Sequence, residues 1–320
     1  MPLSLPSARR IGPGRAAREP RAEPSFLLPL PGPFVIYARA MEWSRDEVHA
    51  VVKSSPDRVA AHDKAGWVGL FADGAVVEDP VGGPPARKGA DGRDGDDELG
   101  RFYDVYIAPN DIRFEVLADV VQGLTVVRDV NIETRTPNGA RVELPAYLIY
   151  ELGEVSGALR VKRMRAFWAL RGVTMSALRG GPRTLIAMTQ LTGRMLAIQG
   201  FSSVSTYLEG LWRGIFERGH EAARELARGI GERDLAGLRG LFVDDEPRIE
   251  IDPGERFSSH GLLNALGQGA SLEVDAPISA GFFTAFRCSL TALGSRRRGI
   301  GLLEFDPHTR SCAEARLFLE

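Results

Sequence analysis

The first feature that could do chemistry is a carboxylate placed just ahead of a proline at the end of a short apolar run. Ala75-Val76-Val77-Glu78 reads as a strand that delivers Asp79 immediately before Pro80. Proline cannot donate to a sheet ladder, so the strand stops or bends there. Asp79 then stands at the mouth of whatever cavity the strand lines, where a carboxylate could take a proton from a bound substrate and return it elsewhere. Glu78 alternates to the other face and reads as solvated or paired. Other chemistries find little support. Gly82-Gly83 runs into Pro84-Pro85, without the lysine or helix start of a phosphate loop. The chain holds no Gly-x-Ser-x-Gly elbow and no zinc-ligand spacing, and its two cysteines, Cys288 and Cys312, are not spaced as metal ligands. His62, in a turn ahead of Asp63, reads as exposed. Gly89 to Asp97 reads as a solvated Gly/Asp-rich loop that lacks the ligand spacing and closing Glu of a calcium loop.

The elements that must hold Asp79 can be read around it. Ser44-Arg45-Asp46-Glu47 is a capping box that starts a helix, with Val48, Val51 and Val52 at helical spacing. Pro56 either kinks this helix or starts a second one capped by Ser55. A helical run ends with Leu70 and Phe71, and Ala72-Asp73-Gly74 turns the chain into the strand that carries Asp79. A helix is expected over 98–106. Alternating runs over 112–117, 124–132, 141–151 and 159–170 fit antiparallel strands, with Pro137-Asn138-Gly139 as a hairpin turn.

The helix, the Phe-Ala-Asp turn and the Glu-Asp-Pro-Val-Gly segment resemble the bacterial Δ5-3-ketosteroid isomerases of the nuclear transport factor 2-like superfamily. Phe102-Tyr103, Leu144-Pro145-Ala146-Tyr147 and Met164-Arg165-Ala166-Phe167 extend the resemblance over roughly residues 44–170, about 40% of the chain. It implies an α+β fold in which helices pack on a strongly curved antiparallel sheet, the nuclear transport factor 2-like (cystatin-like) cone. It implies cofactor-free movement of a double bond next to a ketone, with Asp79 as the base and hydroxyl donors on the enolate oxygen. The family's catalytic tyrosine falls on Ser55 and its donor aspartate on Tyr147, while Tyr103 aligns with a tyrosine that supports the donors. Both donor positions depart from the family pattern. Tyr147, aided by Tyr103, is therefore the expected oxyanion contact, with a half-buried strand aromatic as the alternative reading of Tyr147. Trp67, Phe114 and Phe167 are expected to line the substrate pocket. Relatives with a polyketide-cyclase activity place an acid–base aspartate in the same cone and use it for aldol closure. Other members are apolar-ligand binders or assembly modules without catalysis.

An internal repeat follows. Asp234 to Asp244 matches Asp63 to Asp73 at seven of eleven positions, and Glu314-Ala315-Arg316-Leu317-Phe318 echoes Met164-Arg165-Ala166-Phe167. The expected organisation is a disordered tail or mis-set start over 1–40, an isomerase-like domain over 41–170, a helical connector over 171–215 and a degenerate second cone over 216–320. In the second copy the base position falls on Glu250 or Asp252 and the donor positions on Leu226 and Ile300, which could not hold an enolate. The two copies are expected to form an internal pseudo-dimer, or the chain a homo-oligomer. In the connector an amphipathic segment docked on the domains competes with a membrane-surface or partner-binding helix. Net charge is -2, giving no reason to expect nucleic acid as a partner. No apolar run reaches the ~18 residues of a membrane span, and two unpatterned thiols fit a cytoplasmic protein. The expected partner is a small apolar ketone, steroid or polyketide-like, with neither cofactor nor metal.

Overall fold

A computed structural model describes residues 43–89, 97–179, 181–244, 248–252 and 254–320. The tail expected over 1–40 and most of the Gly/Asp-rich loop lie outside them. Among the described residues the chain runs twice through one order of elements. The first pass is α1 (Arg45–Ala60), α2 (Lys64–Gly69), β1 (Phe71–Glu78), β2 (Ala86–Arg87), α3 (Glu98–Phe102) with a π-helical turn over Tyr103–Ile107, β3 (Asp111–Gln122), β4 (Thr125–Arg135), β5 (Arg141–Val155) and β6 (Ala158–Phe167). A connector follows with α4 (Leu170–Arg179), α5 (Pro182–Arg194), a second π-helical turn over Met195–Gln199, and α6 (Phe201–Gly210). The second pass is α7 (Glu217–Gly231), α8 (Leu235–Leu241), β7 (Ile249–Asp252), β8 (Glu255–Phe257), α9 (Ser259–Leu266), β9 (Ser271–Ala280), β10 (Phe283–Ala292), β11 (Ser295–Phe305) and β12 (Cys312–Leu319). Each pass closes one six-stranded sheet, in the orders β2-β1-β6-β5-β4-β3 and β8-β7-β12-β11-β10-β9. The fold is α+β, two cones in tandem.

Local sequence accounts for the repeated joints. Ser44 caps α1 with both halves of the capping box formed. Asp63 caps α2 by accepting from Gly66 N at 2.8 Å, and Asp234 caps α8 by accepting from Gly237 N at 2.9 Å. Each glycine is needed because a Cβ there would collide with the cap carboxylate, which explains the repeated Asp-x-Ala-Gly. Two expectations need correction. Pro56 sits inside one continuous helix, so it does not start a second one capped by Ser55. Phe71 to Gly74 belong to β1, whose register against β6 shifts between Phe71 and Val76, so the expected turn is an irregularity within the strand.

Each sheet has one face towards its own helices and one towards the other sheet. On β5, Ala146, Leu148, Tyr150 and Leu152 join the core under α1 to α3. Tyr147 and Ile149 point the opposite way and, with Val81, Val120, Val127 and Phe167, pack on Ile278, Ala280, Ala285, Ile300, Leu302 and Phe318. The alternation is the period-two geometry of a strand. At Gly82 and Gly281 the cones approach backbone to backbone: a Cβ on Gly82 would lie 2.8 Å from Gly281 Cα.

Polar groups fix the register of this sheet-on-sheet contact. The β9–β10 ladder shifts register between Ala285 and Arg287, beside Ala276, whose φ is 47°. Such a bulge frees backbone groups from the ladder. The Tyr147 hydroxyl satisfies two of them, donating to Ala276 O at 2.9 Å and accepting from Arg287 N at 3.1 Å. Buried Asp129, opposite Tyr147 on β4, pairs with the Arg287 side chain. Removing the hydroxyl leaves a carbonyl and an amide buried without a partner. Tyr147→Phe is therefore expected to lower unfolding free energy by about 1–3 kcal/mol, read as a shifted denaturant midpoint with an unchanged slope.

Candidate functional site

Asp79 follows the last residue of β1. That strand runs parallel to β6 with Val76, Val77 and Glu78 opposite Arg163, Met164 and Arg165. The Asp79–Pro80 peptide is cis. Beyond it Val81 N donates to Ala166 O at 2.9 Å, which ties the turn to the end of β6. Trp168, just past β6, then reaches Asp79, its indole Nε1 donating to Oδ1 at 2.7 Å. Among the described residues Oδ2 accepts no hydrogen bond and is the oxygen left for proton transfer. Asp79 is half-buried by accessible surface, but the protein atoms crowded around its carboxyl desolvate it enough to push its pKa above the ordinary value, and the Trp168 hydrogen bond opposes this only in part. Glu78 faces away and accepts from Arg163 Nε at 2.8 Å.

Two phenols feel the Asp79 charge. Tyr106, half-buried on the π-helical turn after α3, is raised well above its usual pKa by burial, by Tyr207 and by Asp79. Tyr150 on the inward face of β5 is raised by burial, while a hydrogen bond with Ser55 and the charge of Arg128 pull the other way. Both are protonated donors at neutral pH. Tyr207 comes from α6 of the connector, its own phenol raised by burial and hydrogen-bonded to Thr174. Half-buried Phe114, Ile132 and Leu144 stand in register across β3, β4 and β5 and pack on the same core as Tyr106 and Trp168. They provide an apolar wall.

A second polar group lies on the same inward face. Arg128 donates to both carboxylate oxygens of Asp119, at 2.7 and 3.0 Å, and His49 of α1 is 2.7 Å from Asp119. Burial pushes the Asp119 carboxyl up, but the hydrogen bonds from Arg128 and His49 outweigh it and hold the pKa below the ordinary value. The charges here are mutually satisfied.

The residues singled out in the sequence are only partly brought together. Asp79 and Phe114 are on the helix side of the cone. Ser55 is buried in α1, where its hydroxyl accepts from Trp67 Nε1 at 3.1 Å and bonds Tyr150, so it braces the core. Trp67 is buried against Phe71, Phe102 and Tyr103, in an aromatic stack rather than a pocket wall. Tyr103 is buried, and among the described residues its hydroxyl has no hydrogen-bond partner. Its pKa is raised by burial and by the charges of Asp63 and Asp104. Two positions require correction. Tyr147 and Phe167 lie on the opposite face of the sheet, Tyr147 in the β9–β10 bulge and Phe167 edge-on to Phe283 at 5.9 Å. Strand alternation carries Tyr150 inward and Tyr147 outward, so Tyr147 cannot reach an oxygen bound beside Asp79.

Sequence reasoning missed Tyr106, Tyr150, Tyr207 and the bond from Trp168 to Asp79. The parity of β5 would have found Tyr150, because Leu148 reads as core; nothing local marks Tyr207. In the second cone Leu226 is fully buried and Ile300 belongs to the sheet-on-sheet core. Glu250 pairs with Arg256 at 3.4 Å. A cavity of about 300 Å³ opens elsewhere, between the cones and the end of α6, with Glu78, Glu209, Arg213, Phe282 and Phe305 in its lining. Among the described residues no cluster could hold a metal ion, and no helix is long and apolar enough to cross a membrane.

Because the Asp79 pKa is raised on folding, its ionisation opposes folding. The cost is absent below the ordinary aspartate pKa of about 3.9 and is complete once pH exceeds the raised value. Asp79→Asn keeps the acceptor for Trp168 and removes the charge. The variant is expected to melt above wild type at neutral pH, with the gap closing as pH falls below the usual carboxylate range. Melting curves across pH check this.

Residues 52–159 match the model of the SnoaL-like domain. Among solved structures, a Δ5-3-ketosteroid isomerase from Mycobacterium sp. is 27% identical over 39% of this chain and 94% of its own, with a TM-score of 0.32. A Mycobacterium tuberculosis protein in complex with estradiol-17beta-hemisuccinate is 25% identical over 39% of this chain and 95% of its own, with a TM-score of 0.33. An epoxide hydrolase/cyclase-like enzyme of pyran ring formation in the polyether salinomycin is 22% identical over 39% and 95%, with a TM-score of 0.32. No curated protein matches the chain.

Proposed function

We propose, with residues 52–159 a SnoaL-like domain, that the first cone is a cofactor-independent acid–base catalyst acting on a small apolar ketone. The carrying observation is the desolvated Asp79 carboxyl, held through Oδ1 by Trp168 and with Oδ2 free of hydrogen bonds from the described residues. A carboxylate with a raised pKa is a stronger base once ionised.

Oδ2 takes a proton from the carbon beside the ketone. The electron pair moves onto the carbonyl oxygen, and the Tyr106 phenol donates to that oxyanion. Asp79, now protonated, returns the proton to the far carbon of the unsaturated system. The double bond has then moved into conjugation and no atom has been gained or lost. Phe114, Ile132 and Leu144 hold the apolar body of the substrate, and Tyr207 closes the mouth. A 3-oxo-Δ5-steroid is the substrate that the motif resemblance suggests. The same base, taking a proton to make a carbon nucleophile, would serve aldol closure in a polyketide-like ketone. The mutual pairing of Ser55, Trp67 and Tyr150 inside the cone favours a second reading, an apolar-ligand binder without turnover.

Conversion of a 3-oxo-Δ5-steroid to its conjugated isomer, followed at the enone absorbance, tests the reading. Asp79→Asn is expected to lower kcat by about 10²–10⁴-fold and Tyr106→Phe by about 10²-fold. Tyr147→Phe is expected to leave the rate of the folded protein unchanged. Wild-type activity should rise with pH through an apparent pKa above that of an ordinary aspartate. No wild-type rate, together with tight binding of the same steroid, would favour the binder.

A further inference from the structure

The connector presents an apolar surface that neither cone covers. Leu185, Ile186 and Leu196 are 44%, 50% and 45% exposed, and Phe201, Leu208 and Trp212 are 77%, 52% and 69% exposed. Leu185, Thr189, Gly193 and Leu196 recur at three- and four-residue intervals, so one outward face of α5 and the turn after it carries no charge. Isolated exposed apolar side chains are ordinary, but a run of them along consecutive helices marks a contact surface. The inward side is occupied separately: Met195 is buried, and Tyr207 is half-buried with its phenol beside Tyr106.

Charge says what the surface meets. Residues 170–215 contain five arginines, Arg171, Arg179, Arg183, Arg194 and Arg213, against the single acid Glu209, in a chain whose net charge is -2. Arg171 stacks over the ring of Trp212 at 5.4 Å, an aromatic body capped by a cation at the rim of the patch. A second copy of the chain would set one arginine-rich connector against another in a two-fold contact. Residues 1–42 are no better matched, with six arginines against three glutamates.

We propose that the connector is a docking surface for an anionic lipid bilayer. The α5 face, Phe201, Leu208 and Trp212 enter the boundary between headgroups and acyl chains, and the exposed Arg171, Arg183 and Arg213 meet lipid phosphates. Docking would hold α6, whose inward side carries Tyr207, at the membrane surface, where apolar ketones partition. The proposal does not depend on whether Asp79 catalyses.

The test is co-sedimentation of the full chain with phosphatidylcholine vesicles in which about one lipid in three is phosphatidylglycerol, and with phosphatidylcholine alone. Wild type should sediment with the anionic vesicles and be released by salt, with a blue shift of tryptophan emission. Ile186→Glu and Phe201→Glu should each lower partitioning about tenfold, and Arg183→Glu should lower it for anionic vesicles. All three side chains are exposed, so unchanged melting temperatures show that the fold is kept. Equal binding to the two kinds of vesicle, or binding to neither, would overturn the proposal. So would a wild-type dimer in light scattering that Ile186→Glu converts to a monomer, since a second copy would then cover the patch.

Discussion

The face-to-face packing of the two sheets decides what every strand residue can do. Each cone needs one sheet face for its own helices. The other would be an exposed apolar surface if Val127, Ile149 and Phe167 did not meet Ile278, Leu302 and Phe318. Tyr147 and Asp129 make that contact specific, because they reach the backbone of the β9–β10 bulge and the Arg287 side chain. With one face of β5 committed in this way, its alternate residues are committed to the cone interior. The position of the chemistry follows.

Inside the first cone polar groups fall into three sets. Arg128, Asp119 and His49 neutralise one another, and Ser55, Trp67 and Tyr150 share hydrogen bonds. Asp79 differs in having one oxygen fixed and the other without a hydrogen bond from the described residues, near phenols that remain protonated. A desolvated carboxylate of this kind costs stability. In the second cone Glu250 stands opposite Arg316 as Glu78 stands opposite Arg165, so it matches Glu78, and buried Ile251 follows it where Asp79 follows Glu78.

Much of this was legible in the sequence, for reasons that are local. The capping box at Ser44, the Asp-x-Ala-Gly joint repeated at Asp63 and Asp234, and the strand end at Asp79-Pro80 each follow from one residue's backbone chemistry. So does the pairing of Glu78, which strand alternation sends away from the cone. What failed was non-local. A position matched by family alignment put Tyr147 in the site, whereas the parity of β5 and the demands of a bulge more than a hundred residues away put it between the sheets. Phe167 failed for the same reason. Tyr207 belongs to a connector outside the resemblance, and only the fold brings its phenol near Tyr106. The hydrogen bond of Trp168 to Asp79 depends on how β6 ends beside β1.

Folding desolvates the Asp79 carboxyl and raises its pKa while leaving it able to ionise. Carbon-detected NMR titration of the aspartate carboxyls, with the Asp79 resonance assigned by its loss in Asp79→Asn, measures this directly. A titration midpoint above the ordinary aspartate value is expected, and one that moves towards that value in Tyr207→Ala. A midpoint at or below about 3.9 in the intact protein would mean a solvated or ion-paired carboxylate, and Asp79 would then not be the desolvated base.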